Sequence, residues 1–266
     1  MVENIDGIGG TILKVSRSQE FRTPAGLDKA VRNLRKNQID GLIVIGGNGS
    51  FNGAVNLVLK GVNVVAIPGT IDNDLFYSEK SLGFDTAVNN AVKAVDDMMQ
   101  SISSNDRGFI IEAMGRNCGD IALHTAVGVG AHSLACAELN TTLSDIVNDV
   151  KKCMDNGVTS PLVIMSENCD FKLKDVEKVL NENLNIETRS TALGYIQRGG
   201  SPSIYDRMLA IQFAIEAVRC LLHGKVGVAL GVKDNKVKVF DLIEAVKVEQ
   251  NFDIELYKKL RELHNI

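Results

Sequence analysis

Short runs rich in β-branched residues alternate along this chain with longer segments in which apolar residues recur every three or four positions. The short runs predict strands and the longer segments predict amphipathic helices. The predicted strands cover residues 41–45, 63–67, 108–112, 133–138, 161–166 and 226–230. The predicted helices cover residues 24–36, 51–60, 85–101, 119–128, 143–156, 174–183, 205–222 and the segment from 254 onward, with a polar turn at 103–106. This alternation is typical of the α/β class, in which helices cover both faces of a mostly parallel sheet.

The chain has 266 residues, with no internal repeat and no low-complexity linker. A chain of this length can bury a large core and can divide into two lobes. We therefore expect two α/β lobes joined by crossing segments rather than two domains on a string.

Composition narrows the range of partners. The net charge is −4 and there is no long basic run, which argues against binding to the nucleic-acid backbone or to an anionic membrane. No apolar run approaches the length of a membrane-spanning helix, so we expect no membrane insertion. An anionic substrate would have to be held by local arginines.

The cysteines and histidines form no metal-binding pattern in the sequence. The five cysteines are odd in number and lack C-x-x-C spacing, which favours reduced thiols and a cytoplasmic protein. The four histidines are His124, His132, His223 and His264. We expect them to be individually placed surface or packing residues.

Two chemically distinctive segments directly follow predicted strands. Strand 41–45 leads into Gly46-Gly47-Asn48-Gly49-Ser50, where glycine allows the backbone to approach a phosphate closely. Strand 63–67 leads into Pro68-Gly69-Thr70-Ile71-Asp72-Asn73-Asp74, which carries two carboxylates two residues apart. Since parallel strands end at one edge of a sheet, we expect the segments to be neighbours and to form a phosphoryl-group site with an acidic base and a metal. Either segment alone is equally consistent with ordinary turn or N-cap chemistry.

The second half of the chain adds candidate ligands for an anion. They are Arg107 before one predicted strand, Met114-Gly115-Arg116 after it, Glu167 after the strand at 161–166, and Arg189 and Arg198 around residues 194–200. Guanidinium groups suit phosphate oxygens because they donate two parallel hydrogen bonds. For Arg107 or Arg189 alone, solvation or pairing with an acidic residue is the more ordinary interpretation.

Four segments together resemble the signature segments of the 6-phosphofructokinase family, in the same order and spacing: residues 45–50, 68–74, 114–116 and 194–200. The resemblance runs from about residue 9 to the C-terminal helix. It implies two Rossmann-like three-layer lobes, a nucleotide-binding lobe of residues 1–83 with 196–245 and a fructose 6-phosphate-binding lobe of residues 84–195 with 246–266. Family members open with a strand and a Gly-Gly-Asp-x-Pro-Gly-x-Asn loop that precede the first matching residue, so we expect the nucleotide lobe to be truncated at its N-terminus.

The implied reaction is the transfer of the γ-phosphoryl group of Mg-ATP to the 1-hydroxyl of fructose 6-phosphate, a step of glycolysis. By position, Asp72 resembles the base that accepts the hydroxyl proton, with Thr70 beside the phosphoryl group and Asp74 orienting the base or the metal network. Arg116 resembles the residue that meets charge on the transferred group. The implied nucleotide contacts are Arg17, Gly47, Asn48, Gly49 and Ser50, with Asn48 also at the metal position. The implied sugar-phosphate contacts are Thr70, Ile71, Asp72, Arg107, Met114, Gly115, Arg116, Glu167, Arg189, Tyr195 and Arg198. Arg107 and Arg189 resemble a pair that reaches from a neighbouring subunit, which implies a homotetramer with shared active sites.

The chain departs from the family pattern at two of these positions. Asn48 stands where the pattern has an aspartate that binds Mg²⁺, and a neutral amide binds this ion less well. Tyr195 replaces a histidine at the sugar phosphate, and a phenol offers no cationic form near neutral pH. By contrast, Gly49 and Gly69 agree with ATP as donor, because pyrophosphate-using relatives carry Asp and Lys there.

Two functions stay open from the sequence. The first is an ATP-dependent kinase, favoured by Asp72 and Arg116. The second is a catalytically weak paralogue or fragment that binds fructose 6-phosphate or partners an active subunit, favoured by Asn48 and Tyr195. A dinucleotide-dependent oxidoreductase is disfavoured, because no G-x-G-x-x-G segment follows a predicted strand and opens a helix.

Overall fold

The computed structural model describes residues 5, 7–102, 106–249 and 252–266. Most of the predicted polar turn at 103–106 lies outside the described residues. The chain divides into two compact units, unit 1 of Met1–Asp85 with Ser201–Gln250 and unit 2 of Thr86–Gly200 with Asn251–Ile266. The chain crosses from one unit to the other after residues 85, 200 and 250. The boundaries expected from the sequence, at 83, 195 and 245, lie a few residues earlier.

Each unit has its own sheet and its own helices. The strands are Leu42–Gly46 (β1), Val64–Thr70 (β2), Leu82–Gly83 (β3), Gly108–Ala113 (β4), Ser133–Ala135 (β5), Leu162–Ser166 (β6), Thr188–Ala192 (β7), Val228–Lys233 (β8) and Lys236–Asp241 (β9). The α helices are Pro24–Lys36 (α1), Asn48–Leu59 (α2), Phe84–Ile102 (α3), Asp120–Val129 (α4), Leu143–Asp155 (α5), Leu173–Leu184 (α6), Ile204–Leu222 (α7), Leu242–Ala245 (α8) and Ile254–His264 (α9). Short 3-10 helices lie at Glu20–Arg22, Ala137–Leu139 and Gly194–Arg198.

The sheet of unit 1 has the order β1-β2-β8-β9, with β3 pairing with β2 beyond this path. The pairs β1–β2, β2–β3 and β2–β8 are parallel, and β8–β9 is antiparallel. Residues 64–68 of β2 are all buried, as expected for a parallel strand that is covered on both faces.

Helices cover the two faces of this sheet through alternate residues of β2. Val64 and Ala66 pack with residues of α1 and α2, including Phe51. Val65 and Ile67 pack on the opposite face with Phe213 and other residues of α7. Alternate side chains of β2 therefore belong to two separate hydrophobic cores, one on each face of the sheet.

Helix α7 is apolar on two sides. Leu209, Phe213, Ala217 and Cys220 are buried and face the sheet. A second row is exposed, with Ile204 at 72% and Leu222 at 78%, and contains Ile204, Met208, Ile211, Ile215, Val218 and Leu222. Steps of three and four residues place this row on the side of the helix away from the sheet.

The sheet of unit 2 has the order β5-β6-β4-β7, and all its pairs are parallel. Ile110, Val163 and Met165 pack on one face with residues of α5 and α6. Helix α4 contacts β4, β5 and β6, and half of its residues are buried. The two sheets confirm the predicted α/β class with mostly parallel strands.

An ion pair between Arg261 and the buried Asp149 holds the C-terminal helix α9 within unit 2. Arg261 donates to both oxygens of Asp149, at 3.1 and 3.0 Å. Asp149 is only 5% exposed, and it also accepts a hydrogen bond of 3.0 Å from Ser133 Oγ. Its charge is thus matched by a cation and a hydroxyl, which a buried carboxylate requires.

Most predicted elements lie within a few residues of their observed bounds, and α1 matches at both ends. Helix α1 starts cleanly because Thr23 Oγ1 accepts the Gly26 N–H at 3.1 Å and Pro24 occupies the first turn. The predicted strand at 133–138 is wrong beyond Ala135, since the chain turns into the 3-10 helix Ala137–Leu139. The sequence did not indicate β3, β7, β9 or α8.

All five cysteines are free thiols and buried, as the sequence predicts. No helix among the described residues combines the length and apolar character needed to cross a membrane. The histidines are not all individually placed, because the rings of His132 and His264 lie 4.7 Å apart. His132 Nδ1 accepts the Leu162 N–H at 2.9 Å, and burial, aided by repulsion from His264, lowers the pKa of His132 to about 4.

We expect the protein to lose stability as the pH falls from about 6.5, the ordinary histidine pKa, toward about 4. In this window the unfolded chain binds a proton at His132 that the folded chain resists, so acidification favours unfolding, and this loss is absent above the window. The variant His132→Asn retains an acceptor for the Leu162 N–H but does not titrate. Urea unfolding at neutral pH and at about pH 5 should therefore show a smaller loss for this variant than for the wild type. The exposed His223, changed to Asn, serves as the control, and equal losses in wild type and His132→Asn would contradict the expectation.

Candidate active site

The carboxyl ends of β1 and β2 lie side by side in unit 1, with Gly46 opposite Pro68. A Cβ atom placed on Gly47 would lie 3.2 Å from Thr70 Cβ, so the two segments that follow these strands are in contact. This confirms that they are neighbours at one edge of the sheet.

The glycine-rich segment is the beginning of a helix rather than an open turn. Helix α2 starts at Asn48, earlier than the predicted residue 51, and no side chain caps it at Gly47. The first N–H groups of a helix have no partner within the helix, and they carry partial positive charge. This start of α2 is suited to binding phosphate oxygens.

The two glycines that bear on donor choice differ in their surroundings. A Cβ atom on Gly69 would lie 2.9 Å from Ile45 Cγ2, so glycine there allows β1 and β2 to pack. A Cβ atom on Gly49 would meet nothing within 4 Å. Open space therefore adjoins the first turn of α2.

Asn48 is exposed in that first turn. Its Oδ1 accepts a hydrogen bond of 2.7 Å from Asn52 Nδ2. The helix start thus carries a neutral amide oxygen held in place by the next turn. The other predicted nucleotide ligand outside this region, Arg17, is exposed in a segment without regular structure before α1.

The segment after β2 is held by a network of short-range hydrogen bonds. Thr70 Oγ1 accepts the Asp72 N–H at 3.1 Å, which turns the chain directly after the strand. Asn73 adopts a left-handed conformation with φ of 52°, one that asparagine tolerates better than most residues. Asp74 is buried, and Ile71 and Asp72 are partly exposed, so Asp72 is the carboxylate that a ligand can reach.

Ser81 fastens this segment from outside it. Its Oγ lies 2.8 Å from the Thr70 carbonyl oxygen and 3.1 Å from Asn73 Oδ1, so its one proton serves two acceptors. Directly after Ser81, β3 pairs with the end of β2. The Gly83 N–H then donates to Asp206 Oδ1 of α7 at 3.0 Å, which ties the segment to a helix.

In unit 2, the segment Met114-Gly115-Arg116 makes a sharp turn after β4. Gly115 has φ of 151° and Arg116 has φ of 58°, and the second value is strained for a residue with a long side chain. Glu167 Oε1 accepts the N–H groups of Gly115 at 3.1 Å and Arg116 at 2.6 Å. Glu167 therefore fixes the backbone from which the Arg116 side chain projects.

A second carboxylate lies close to Glu167. Burial, together with the negative charge of Glu167, raises the pKa of Glu112. A neighbouring negative charge disfavours ionisation of the Glu112 carboxyl. This end of the sheet is therefore electrostatically unfavourable for a further anion unless arginines offset the carboxylates.

The segment 194–200 begins with the 3-10 helix Gly194–Arg198. Tyr195 is 79% exposed, and Arg198 is exposed with its guanidinium carbon 5.4 Å from the centre of the Tyr195 ring. The two side chains form one exposed surface on this short helix.

Arg107 and Arg189 both bind the same carboxylate. Arg107 Nε donates to Glu187 Oε2 at 2.9 Å, and Arg189 Nη2 donates to Glu187 Oε1 at 2.7 Å. Arg189 lies within β7. Each arginine thus pairs with an acidic residue, and the shared partner brings two guanidinium groups to one place on the surface of unit 2.

Sequence reasoning missed three side chains that shape these segments: Ser81, Gln197 and Glu187. Each of them contacts a backbone group or a charged side chain that is distant in sequence. Neither a motif nor a residue spacing indicates such a contact. A small polar residue between the charged Lys80 and the apolar Leu82 gives no indication of a buried hydroxyl.

The amino-acid sequence of this chain matches a known protein family. The family model described as phosphofructokinase matches residues 1–221. The chain belongs to the phosphofructokinase family. It is 43% identical over 256 residues to a protein of Clostridium botulinum named ATP-dependent 6-phosphofructokinase, a match that covers 96% of this chain and 80% of that relative. It is 42% identical to a protein of the same name from Alkaliphilus metalliredigens, covering 94% of this chain and 78% of the relative.

A solved structure of the family has the same fold. The phosphofructokinase from Saccharomyces cerevisiae superposes with a TM-score of 0.88 at 27% sequence identity. The match covers 98% of this chain, and the chain spans 42% of the yeast chain.

We expect Ser81→Ala to lower the free energy of unfolding by about 1–3 kcal/mol, because two buried acceptors lose their donor. Ser81→Thr keeps the hydroxyl and should recover most of this stability. Denaturant unfolding of both variants, with the exposed Ser201→Ala as control, measures the difference. Equal stability of Ser81→Ala and Ser201→Ala would show that the hydroxyl does not fasten the segment.

Proposed function

We propose that this chain is an ATP-dependent 6-phosphofructokinase, which transfers the γ-phosphoryl group of ATP to the 1-hydroxyl of fructose 6-phosphate. The product is fructose 1,6-bisphosphate. The observation that carries the proposal is the parallel pairing of β1 and β2, which brings the uncapped start of α2 against Thr70 at the edge where Asp72 is partly exposed. A phosphate-binding helix start next to a carboxylate is what phosphoryl transfer to a hydroxyl requires.

Unit 1 binds the nucleotide in this proposal. The N–H groups at the start of α2, the exposed residues Asn48 and Gly49 and the partly exposed Ser50 meet the phosphates, with Gly47 setting the close approach. The open space at Gly49 leaves room for a large donor. Relatives that are 43% identical are named ATP-dependent, which supports ATP rather than pyrophosphate. Arg17 is a further nucleotide contact by position.

Asp72 is the base in this reaction. It accepts the proton of the sugar 1-hydroxyl as that oxygen bonds to the γ-phosphorus and the bond from phosphorus to the ADP oxygen breaks. The Thr70 hydroxyl already accepts the Asp72 N–H, so the position of Asp72 is set by the residue that lies beside the phosphoryl group. Asp74 is buried behind it and orients the segment. Positioned bases of this kind contribute about 10²–10⁴-fold to rate.

Unit 2 binds the sugar phosphate. Arg116 offsets charge on the transferred group, and its backbone is held by Glu167 Oε1. The second oxygen of Glu167 remains suited to accept a sugar hydroxyl. Tyr195 and Arg198 supply a phenol and a guanidinium to the 6-phosphate from one exposed surface.

Arg107 and Arg189 complete a phosphate site on a neighbouring subunit of a homotetramer. Glu187 holds both guanidinium groups at one place. Two cations against one carboxylate leave a net positive charge there, which suits a phosphate dianion.

Magnesium accompanies ATP in this proposal. The described residues contain no group of three or more His, Cys, Asp or Glu side chains that could hold a metal, but Mg²⁺ is commonly held by one or two carboxylates together with substrate phosphates and water. The amide oxygen of Asn48 and the carboxylates of Asp72 and Asp74 are the hard oxygen donors that fit it. When bound, the ion neutralises charge on the phosphate oxygens. A role in glycolysis supports a cytoplasmic location.

A catalytically weak paralogue that binds fructose 6-phosphate is the second candidate. Asn48 favours it, because its amide oxygen is neutral and already accepts from Asn52. Turnover decides between the two candidates.

We expect the purified chain to form ADP from Mg-ATP only when fructose 6-phosphate is present. Asp72→Asn should lower the turnover number by at least about 100-fold, because the base is lost while its shape is kept. Asp40→Asn, an exposed residue of unit 1, makes the same chemical change elsewhere and should leave the rate unaltered. Binding of fructose 6-phosphate without turnover would favour the weak paralogue, and equal rates for wild type and Asp72→Asn would exclude Asp72 as the base.

We expect Gly49→Asp to raise the KM for ATP by about tenfold or more, since a carboxylate at the start of α2 would repel phosphate and occupy the open space. Asn56→Asp adds the same charge on an exposed position of the same helix and is the matched control. Steady-state kinetics with ATP as varied substrate measures both. An unchanged KM in Gly49→Asp would place the phosphates elsewhere.

A further inference from the structure

Gln197 is a buried side chain between two segments of unit 2. It is 1% exposed, although its neighbours in the 3-10 helix, Ile196 and Arg198, are exposed. Its Oε1 accepts the Met114 N–H at 3.1 Å, and its Nε2 donates to the Gly194 carbonyl oxygen at 3.1 Å. One amide group thus joins the turn after β4 to the start of the 3-10 helix.

The contact at Met114 completes a series of three. The consecutive N–H groups of Met114, Gly115 and Arg116 are accepted by Gln197 Oε1 and, twice, by Glu167 Oε1. Consecutive backbone N–H groups of this kind would otherwise form a concave site for an anion. Gln197 and Glu167 already occupy that site. An anion bound here would therefore contact side chains of the turn and of the 3-10 helix instead of these backbone N–H groups.

The position of Gln197 suits an uncharged group that carries both a donor and an acceptor, as the amide does. It must accept on one side and donate on the other, and both partners are fixed backbone groups. A carboxylate could not donate to the Gly194 carbonyl oxygen, and it would add a charge next to Glu167, which together with burial already raises the pKa of Glu112. A lysine could not accept from Met114.

Two further hydrogen bonds hold the two ends of the segment 194–200. At its beginning the Leu193 N–H donates to the Glu112 carbonyl oxygen at 2.9 Å. At its end Asn90 Nδ2 donates to the Gly199 carbonyl oxygen at 2.7 Å. Gln197 is the described side chain that ties the middle of the segment to the turn after β4.

We propose that Gln197 is a positioning residue that sets where Tyr195 and Arg198 stand relative to the Met114–Arg116 turn, and thereby sets affinity for the phosphate ester of fructose 6-phosphate. The inference rests on the proposed function. Tyr195 and Arg198 flank Gln197 on the same short helix, so a rotation of that helix about an unfastened Gln197 would displace both polar groups together.

The test substitutes Gln197→Glu and Gln197→Met. At neutral pH each should raise the KM for fructose 6-phosphate about tenfold, the effect of losing a buried hydrogen bond, while the KM for ATP stays within about twofold. Gln212→Glu, an exposed residue of α7 in unit 1, is the matched control for the added charge. Thermal unfolding of all three variants establishes that they are folded at the assay temperature.

A pH series separates positioning from a merely structural role. Protonation of the carboxyl in Gln197→Glu restores a hydroxyl that donates and a carbonyl that accepts. The ratio of its KM to that of the wild type should therefore fall on acidification, while the ratio for Gln197→Met stays constant. Should Gln197→Glu not fold, Gln197→Met alone still gives the comparison of the two KM values.

The outcomes distinguish this inference from the proposed function. An active wild type with unchanged KM for fructose 6-phosphate in both variants, or with equal rises in both KM values, overturns the inference alone. A wild type that neither binds nor phosphorylates fructose 6-phosphate overturns the proposed function and, with it, the inference.

Discussion

Parallel pairing of strands is the constraint on which the rest of the structure depends. In unit 1 it sets Gly46 beside Pro68, and in unit 2 it sets Ala113 beside Ser166. In each unit, segments far apart in sequence therefore leave the sheet at the same edge and in the same direction. The glycine-rich start of α2, the Asp72 segment, the Arg116 turn and Glu167 all occupy such strand ends.

Strand ends bring segments together, but hydrogen bonds from single side chains fix their shape. Ser81 fastens the segment after β2, and Glu167 holds the strained turn at Arg116. Both supply hydrogen bonds to backbone groups that have left the sheet and would otherwise lack partners. Glu167 Oε1 accepts two backbone N–H groups of the turn, and in the proposed function its other oxygen is the one that would accept a sugar hydroxyl.

The sequence predicts what depends on local pattern and misses what depends on distant partners. The start of helix α1 is predicted correctly, because Thr23 and Pro24 form a local signal for a helix N-terminus. Strand β9, Lys236–Asp241, begins with alternating lysines and valines and pairs with an antiparallel partner. A search for apolar runs does not detect this strand, because the lysines interrupt the apolar positions. His132 and His264 are in contact although they lie far apart in sequence, and no spacing rule relates them.

The order of strands along the chain has a consequence for how the protein is made. Strand β2 leaves the ribosome early, but β8, its neighbour in the sheet, follows more than 150 residues later. The strands of the second sheet, β4 to β7, are all contained in residues 108–192. During synthesis the second sheet can therefore close while one side of β2 still awaits its partner. Until β8 emerges, that unpaired side of β2 offers backbone groups to any other extended chain, which makes the interval before residue 228 the period of greatest exposure to misassembly.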